Sequence, residues 1–233
     1  MNSDCQMGDG WQESDAAMGL QFETPAACSP TSPSIFGTWH RELWWFLALV
    51  VIANLHLIGI PTAEPLIFLS DKVAAGEWWR VLTHPFVHVS LYQLGLDAGA
   101  FFLCYMSIRE PRQARRIAAM LLFGIGGLIG AYTLGVAKTA YGFCGLSGIA
   151  HGVMAWSMLE LMSSKSDRDS RVLGSAFFAV LIVKSVYETL TGIPFLDFLH
   201  FGPIGVPLLG SHLGGVIAGV LVWAIFTMHN RNR

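Results

Sequence analysis

After residue 40 the chain alternates long apolar runs with short polar intervals. The runs cover about Glu42–Ile60, Pro85–Ser107, Ile117–Val136, Phe143–Met162, Val172–Leu190 and Val206–Met228. Each is close to the ~20 residues an α-helix needs to cross ~30 Å of hydrocarbon. The pattern predicts an all-α membrane protein, a bundle of six transmembrane helices over residues 41–229. Residues 1–40 read differently. They are rich in Ser, Pro, Gly and acids (Asp4, Asp9, Glu13, Asp15, Glu23), without a sustained apolar period, and predict a disordered tail. No basic segment precedes a short apolar core there, so no cleavable signal is expected. Residues 230–233 form a short basic tail.

Composition agrees with the pattern. Hydrophobic residues make up 53% of the chain and charged residues 13%, and the mean hydropathy is +0.52. A soluble chain of this length needs far more charge to cover its surface. Trp44, Trp45, Trp78 and Trp79 stand in pairs at the edges of apolar runs, where interfacial aromatic belts belong. A net charge of -2 without a basic patch gives no reason to expect nucleic acid as a partner. Cys5, Cys28, Cys104 and Cys144 have no spacing that suggests zinc or a disulfide framework.

The basic residues predict an orientation. Arg109, Arg112, Arg115 and Arg116 lie between the second and third runs, and Lys165, Arg168 and Arg171 between the fourth and fifth. Arg41 precedes the first run, and Arg231 and Arg233 follow the last. An even number of spans puts all of these on one side, the cytoplasm, with both termini. The opposite side holds Lys72, Arg80 and Lys138. On this topology Ser147, His212, His84, His88, Gln93 and Asp97 all fall in the outer half of the membrane, with Ser147 about one turn deep.

Two of these residues suggest a nucleophile and its base. Ser147, in YGFCGLSGIAHGV, and His212, in SHLGGVIAGV, each stand at the head of an apolar helix. A helix head offers free backbone N–H groups and a positive dipole end, a setting that stabilises an oxyanion. Gly148 and Gly152 are four apart, as are Gly215 and Gly219. Such pairs let helices approach closely and would set His212 against Ser147. Each residue also has a bland reading: a serine bonded to its own helix and a histidine bonded within a bundle. Lys184 and Glu188 stand i, i+4 and read as an ion pair inside the bundle or as a substrate gate. His84 and His88 are also four apart, but HPFVH lacks the glutamate of a zinc-protease helix, and a role in positioning the loop is expected.

GLSG with its downstream small residue, and His212 followed by Gly215 and Gly219, resemble the two signatures of the rhomboid intramembrane serine proteases. GEWWRVLTHPFVH, Gly76 to His88, is similar to that family's tryptophan–arginine loop, and the resemblance extends over roughly Trp45 to Met228. KSVYETLTG and GLSGIAHG look most like the rhombosortase branch.

The resemblance implies Ser147 as nucleophile and His212 as general base, a dyad with no aspartate to complete a triad. At the family's histidine and asparagine on the second helix stand Gln93 and Asp97, which would support the oxyanion. Gln93 can donate through its amide, and Asp97 only when protonated. His151 takes the place of an aromatic residue that packs on the base. The implied function is an endopeptidase of the cytoplasmic membrane. It would cut the transmembrane or juxtamembrane segment of another membrane protein, among membrane lipid, with no cofactor or metal. On the rhombosortase resemblance the substrate would carry a C-terminal anchor with paired glycines. The alternative is a catalytically inactive rhomboid-like protein that binds transmembrane helices. A proton-coupled transporter using Asp97, Lys184 and Glu188 is the third reading, and no internal repeat supports it.

Overall fold

A computed structural model describes residues 40–134, 142–164, 167–199, 201–203 and 208–231. The expected tail, His40 apart, lies outside them. Eight helices occur in these residues: α1 (Arg41–Ala53), α2 (Ser70–Ala74), α3 (Arg80–Thr83), α4 (Leu91–Tyr105), α5 (Gln113–Thr133), α6 (Ser147–Met162), α7 (Arg168–Thr191) and α8 (Gly210–Arg231). The described residues contain no β-strand, only an isolated bridge between Phe68 and Phe143. Every expected apolar run coincides with a long helix, but not with its expected length. α5, α7 and α8 are long and apolar enough to cross a membrane, and α3 with α4 makes a fourth crossing if that bent pair is one span.

The shortened helices have local causes. α1 stops at Ala53 instead of reaching Ile60, because Asn54 turns away from it. The Asn54 amide donates to Val50 O and Phe86 O, both at 2.7 Å, and its oxygen accepts the His88 N–H at 2.8 Å. The second run is broken: α3 and a 3-10 turn at His84–Phe86 meet α4 at 98°. Ser90 starts α4 by accepting the Gln93 N–H at 3.0 Å, an N-cap in the middle of the apolar run. The fourth run becomes helical at Ser147 rather than at Phe143. Phe143 instead exchanges both backbone bonds with Phe68, at 3.0 and 2.9 Å, and Gly145 follows with φ +117°, a conformation that glycine adopts without strain.

α6 is the buried helix. Ile149, Ala150, Val153, Ala155, Trp156 and Leu159 on all its sides are covered by neighbours, as expected of a helix that is apolar all round. At 16 residues it is about 24 Å long. α7 contrasts with it: Val172, Leu173, Phe177, Val180 and Val183 are exposed, an apolar surface suited to lipid rather than water.

Glycines set the spacing of α5, α6 and α8. A Cβ on Gly215 would run into the Gly148 carbonyl oxygen, and one on Gly219 into that of Gly152. On the other side of α8, Gly210 and Gly214 pack in the same way on Gly130 and Gly126 of α5. Backbones meet directly here, the packing that works where lipid is as apolar as any side chain. At the far end of α4 a buried ion pair joins three helices. Arg116 Nε donates to Glu42 Oε1 at 2.5 Å, and Tyr105 donates to the same oxygen at 2.7 Å.

Candidate active site

The approach to Ser147 is built before the helix that carries it. Arg80 is buried and holds the 61–80 loop, donating to Glu64 O (2.7 Å), Ile67 O (2.8 Å) and Glu77 Oε2 (2.7 Å). His84 follows; its Nδ1 meets Arg80 O at 3.0 Å and its carbonyl accepts the Gly145 N–H at 3.1 Å. His88 Nε2 accepts the Leu146 N–H at 3.4 Å. The His84 carbonyl and the His88 ring therefore hold the backbone directly in front of Ser147.

Ser147 is the first residue of α6, with Leu146 at the N-cap. It lines a cavity of about 210 Å³ together with Gln93, Asp97, His151, Lys184, Glu188 and His212. The expected dyad, Ser147 and His212, and the expected supporting residues Gln93, Asp97 and His151 thus reach one space, brought there by α4, α6 and α8. Among the described residues no hydrogen bond joins Ser147 Oγ to His212; both side chains line the cavity.

His212 is the third residue of α8 and is held on two sides. Its ring stacks on His151, with centroids 4.0 Å apart and planes 7° from parallel. Its Nδ1 donates to Glu188 Oε2 at 2.7 Å. A carboxylate only accepts, so the neutral ring carries its proton on Nδ1 and leaves Nε2 free to accept. His151 is fixed by the same logic: Nδ1 donates to Ser147 O at 2.7 Å, so Nε2 accepts from Lys184 Nζ at 3.0 Å. Lys184 also bonds Glu188 Oε2 at 2.8 Å. It lies 3.4 Å from His212 Nδ1, but with a proton already on that nitrogen this is proximity and not a bond. His151, Glu188 and His212 carry donor atoms within 4.8 Å of one another, a set that could hold a metal ion; Lys184 Nζ bonds His151 and Glu188 in the same place.

His151 stacks on His212, in the position where the resemblance put an aromatic residue packed on the base. Lys184 and Glu188 do form the expected ion pair, yet the pair does not end there. Glu188 is 2% exposed, and its other oxygen accepts the Phe195 N–H at 2.9 Å. The resemblance implied a base with no aspartate behind it; here the glutamate Glu188 bonds His212 Nδ1. Only its spacing from Lys184 was visible in the sequence.

On α4, Gln93 and Asp97 face Gly145. A Cβ there would come within 3.0 Å of Gln93 Nε2 and 3.3 Å of Asp97 Oδ2. Gln93 Oε1 is occupied by the Val89 N–H at 2.9 Å, which turns its NH₂ group toward Gly145. Asp97 Oδ2 is buried without a hydrogen bond and stands 3.6 Å from His88 Nε2.

The profile of the Rhomboid domain matches residues 75–229, which include Arg80 and every residue around the cavity. The chain belongs to the Rhomboid domain family. It is similar to RHOMBOID-like protein 9, chloroplastic, of Arabidopsis thaliana, 28% identical over 160 residues. That stretch is 68% of this chain and 33% of the plant protein, so the chain spans well under two thirds of that relative's length. Family membership and the apolar helices together make this rhomboid a multi-pass integral membrane protein.

Proposed function

We propose that the chain is an intramembrane serine endopeptidase that cuts the transmembrane or juxtamembrane segment of another membrane protein. One observation carries the reading. Ser147, at the head of a buried helix, and His212, with an unblocked Nε2, open onto the same cavity. Ser147 Oγ attacks the substrate carbonyl carbon as its proton passes to His212 Nε2, and the carbonyl π electrons move to oxygen. Collapse of that adduct breaks the C–N bond, and His212 returns the proton to the leaving amine. Water then repeats the sequence on the acyl-enzyme. A fluorophosphonate should label the purified protein at Ser147, and Ser147→Ala should not label. Absence of label on folded wild type would remove the protease reading.

That outcome would favour a catalytically inactive rhomboid-like protein that binds transmembrane helices. The observation on its side is Asp97, whose ionised carboxylate would repel an oxyanion. In the protease reading Gln93 and a protonated Asp97 both donate to it. Asp97→Asn then keeps or raises the labelling rate, since it installs a permanent donor of the same shape; an inactive, folded Asp97→Asn protein would strike Asp97 from the oxyanion site.

The remaining part of the reading is the setting: six spans in the cytoplasmic membrane, both termini in the cytoplasm and the cavity open to the outside. The basic loops support it. With the native cysteines replaced, a cysteine at Thr191 should react with an impermeant thiol reagent in intact cells, and one at Asp167 should not. The reverse pattern would invert the topology. A rhombosortase-like substrate, with a glycine-containing C-terminal anchor, rests on KSVYETLTG and GLSGIAHG alone. Cleavage of a reporter with such an anchor, compared with one whose glycines are replaced by leucine, tests it; equal cleavage removes the narrower assignment.

A further inference from the structure

We propose that Glu188 is the third member of the catalytic unit, a positioning residue that turns the Ser147–His212 pair into a Ser–His–Glu triad. The inference rests on the protease reading above and adds to it the source of the base's orientation.

Three observations carry it. The Glu188 carboxylate accepts a hydrogen bond from His212 Nδ1–H at 2.7 Å, a bond between α7 and α8. Glu188 is itself held: Oε2 also takes Lys184 Nζ at 2.8 Å, and Oε1 takes the Phe195 N–H at 2.9 Å. The carboxylate is buried, so its direction does not wander with solvent. A rigid acceptor at Nδ1 selects the tautomer whose Nε2 can take the serine proton, and it faces the imidazolium that forms when that proton arrives. Glu188 remains ionised throughout and gives up no proton.

The charges around His212 explain why an acid is needed. From α6 comes His151, neutral and stacked; from α7 come Lys184 and Glu188; from α4 comes Asp97 across the cavity. The Lys184 ammonium 3.4 Å from Nδ1 opposes a second positive charge on the ring. Glu188, bonded to both groups, offsets that repulsion. A role limited to partnering Lys184 would not require the carboxylate to aim at Nδ1.

Glu188→Gln separates the roles. An amide has one acceptor atom where the carboxylate uses two. If its oxygen stays with Phe195 N–H, its NH₂ faces His212 and drives the proton from Nδ1 to Nε2; the ring then cannot take the serine proton. The full chain in detergent or liposomes should lose fluorophosphonate labelling at Ser147 by on the order of 10³- to 10⁴-fold. Nitrogen-15 spectra of labelled histidine should show His212 protonated on Nδ1 in wild type and on Nε2 in the variant, a change that mere loosening of the bundle would not produce. The double variant Lys184→Met/Glu188→Gln guards against misfolding, since it removes the orphaned ammonium together with the acid. It should regain thermal stability while labelling stays at least 10²-fold below wild type. Wild-type labelling together with a Glu188→Gln or double variant that labels at the wild-type rate would overturn the role of Glu188 and leave the protease reading standing. An Nε2-protonated His212 in wild type would overturn it as well. Failure of wild type to label would instead overturn the protease reading.

Discussion

Ser147→Ala and His212→Ala are each expected to lower cleavage of a co-expressed membrane substrate by on the order of 10⁴- to 10⁶-fold, and the double variant to be no worse than either. On the proposed reading the serine supplies the atom that bonds to the substrate, and the histidine, through Nε2, takes its proton. Removing either disables the same step, so the losses do not add. Ser147 borders the cavity and its Oγ bonds no described residue, whereas His212 also stacks on His151 and bonds the buried Glu188. Ser147→Ala should therefore keep a thermal midpoint in detergent close to wild type, and His212→Ala should stay folded with a lower one. Cleavage by a folded Ser147→Ala protein would exclude the proposed nucleophile, and losses that multiply in the double variant would show that the two residues act separately.

The second large effect is expected at a glycine that carries no chemistry of its own. Gly215→Ala should cost about 1–3 kcal/mol of stability, because its Cβ meets the Gly148 carbonyl oxygen, and backbone cannot swing aside as a side chain can. The change should also slow labelling of Ser147 by about 10²-fold at temperatures where the protein is still folded. Gly148 is the neighbour of Ser147, and Gly215 lies three residues beyond His212. Pushing α6 and α8 apart at this contact displaces the base from the nucleophile. Gly99→Ala is the matched control, since a Cβ on Gly99 meets nothing within 4 Å. Thermal unfolding and labelling rate, measured on both variants, check the pair. A Gly215→Ala protein as stable and reactive as Gly99→Ala would mean that this contact does not set the site.

Much of this was legible in the chain. Among the described residues the apolar runs coincide with the six longest helices, of which α5, α7 and α8 by themselves have membrane length. The Gly148/Gly152 and Gly215/Gly219 spacings pointed to α6 against α8. Ser147, His212, Gln93, Asp97 and His151 were each visible as polar groups in apolar surroundings, where a polar group needs a reason. Less was visible where a local signal has two meanings. Nothing in the run around Asn54 says that its amide will bond Val50, Phe86 and His88 and end α1 early. Ser90 reads as one serine among many until it caps α4. Gly126 and Gly130 of α5 were not singled out, since their partners Gly214 and Gly210 lie some eighty residues away in the chain.

The sequence by itself determined the family, the helical segments and the residue types able to do chemistry. These follow from hydropathy, from spacing within one helix and from motifs a few residues long. The tertiary structure alone decided which polar groups meet. Glu188 could pair with Lys184 from helical spacing, but its bond to His212 depends on how α7 packs against α8, and no pattern within either helix encodes that distance. The same holds for His151, which stacks on His212 only because glycines let α6 and α8 come into backbone contact.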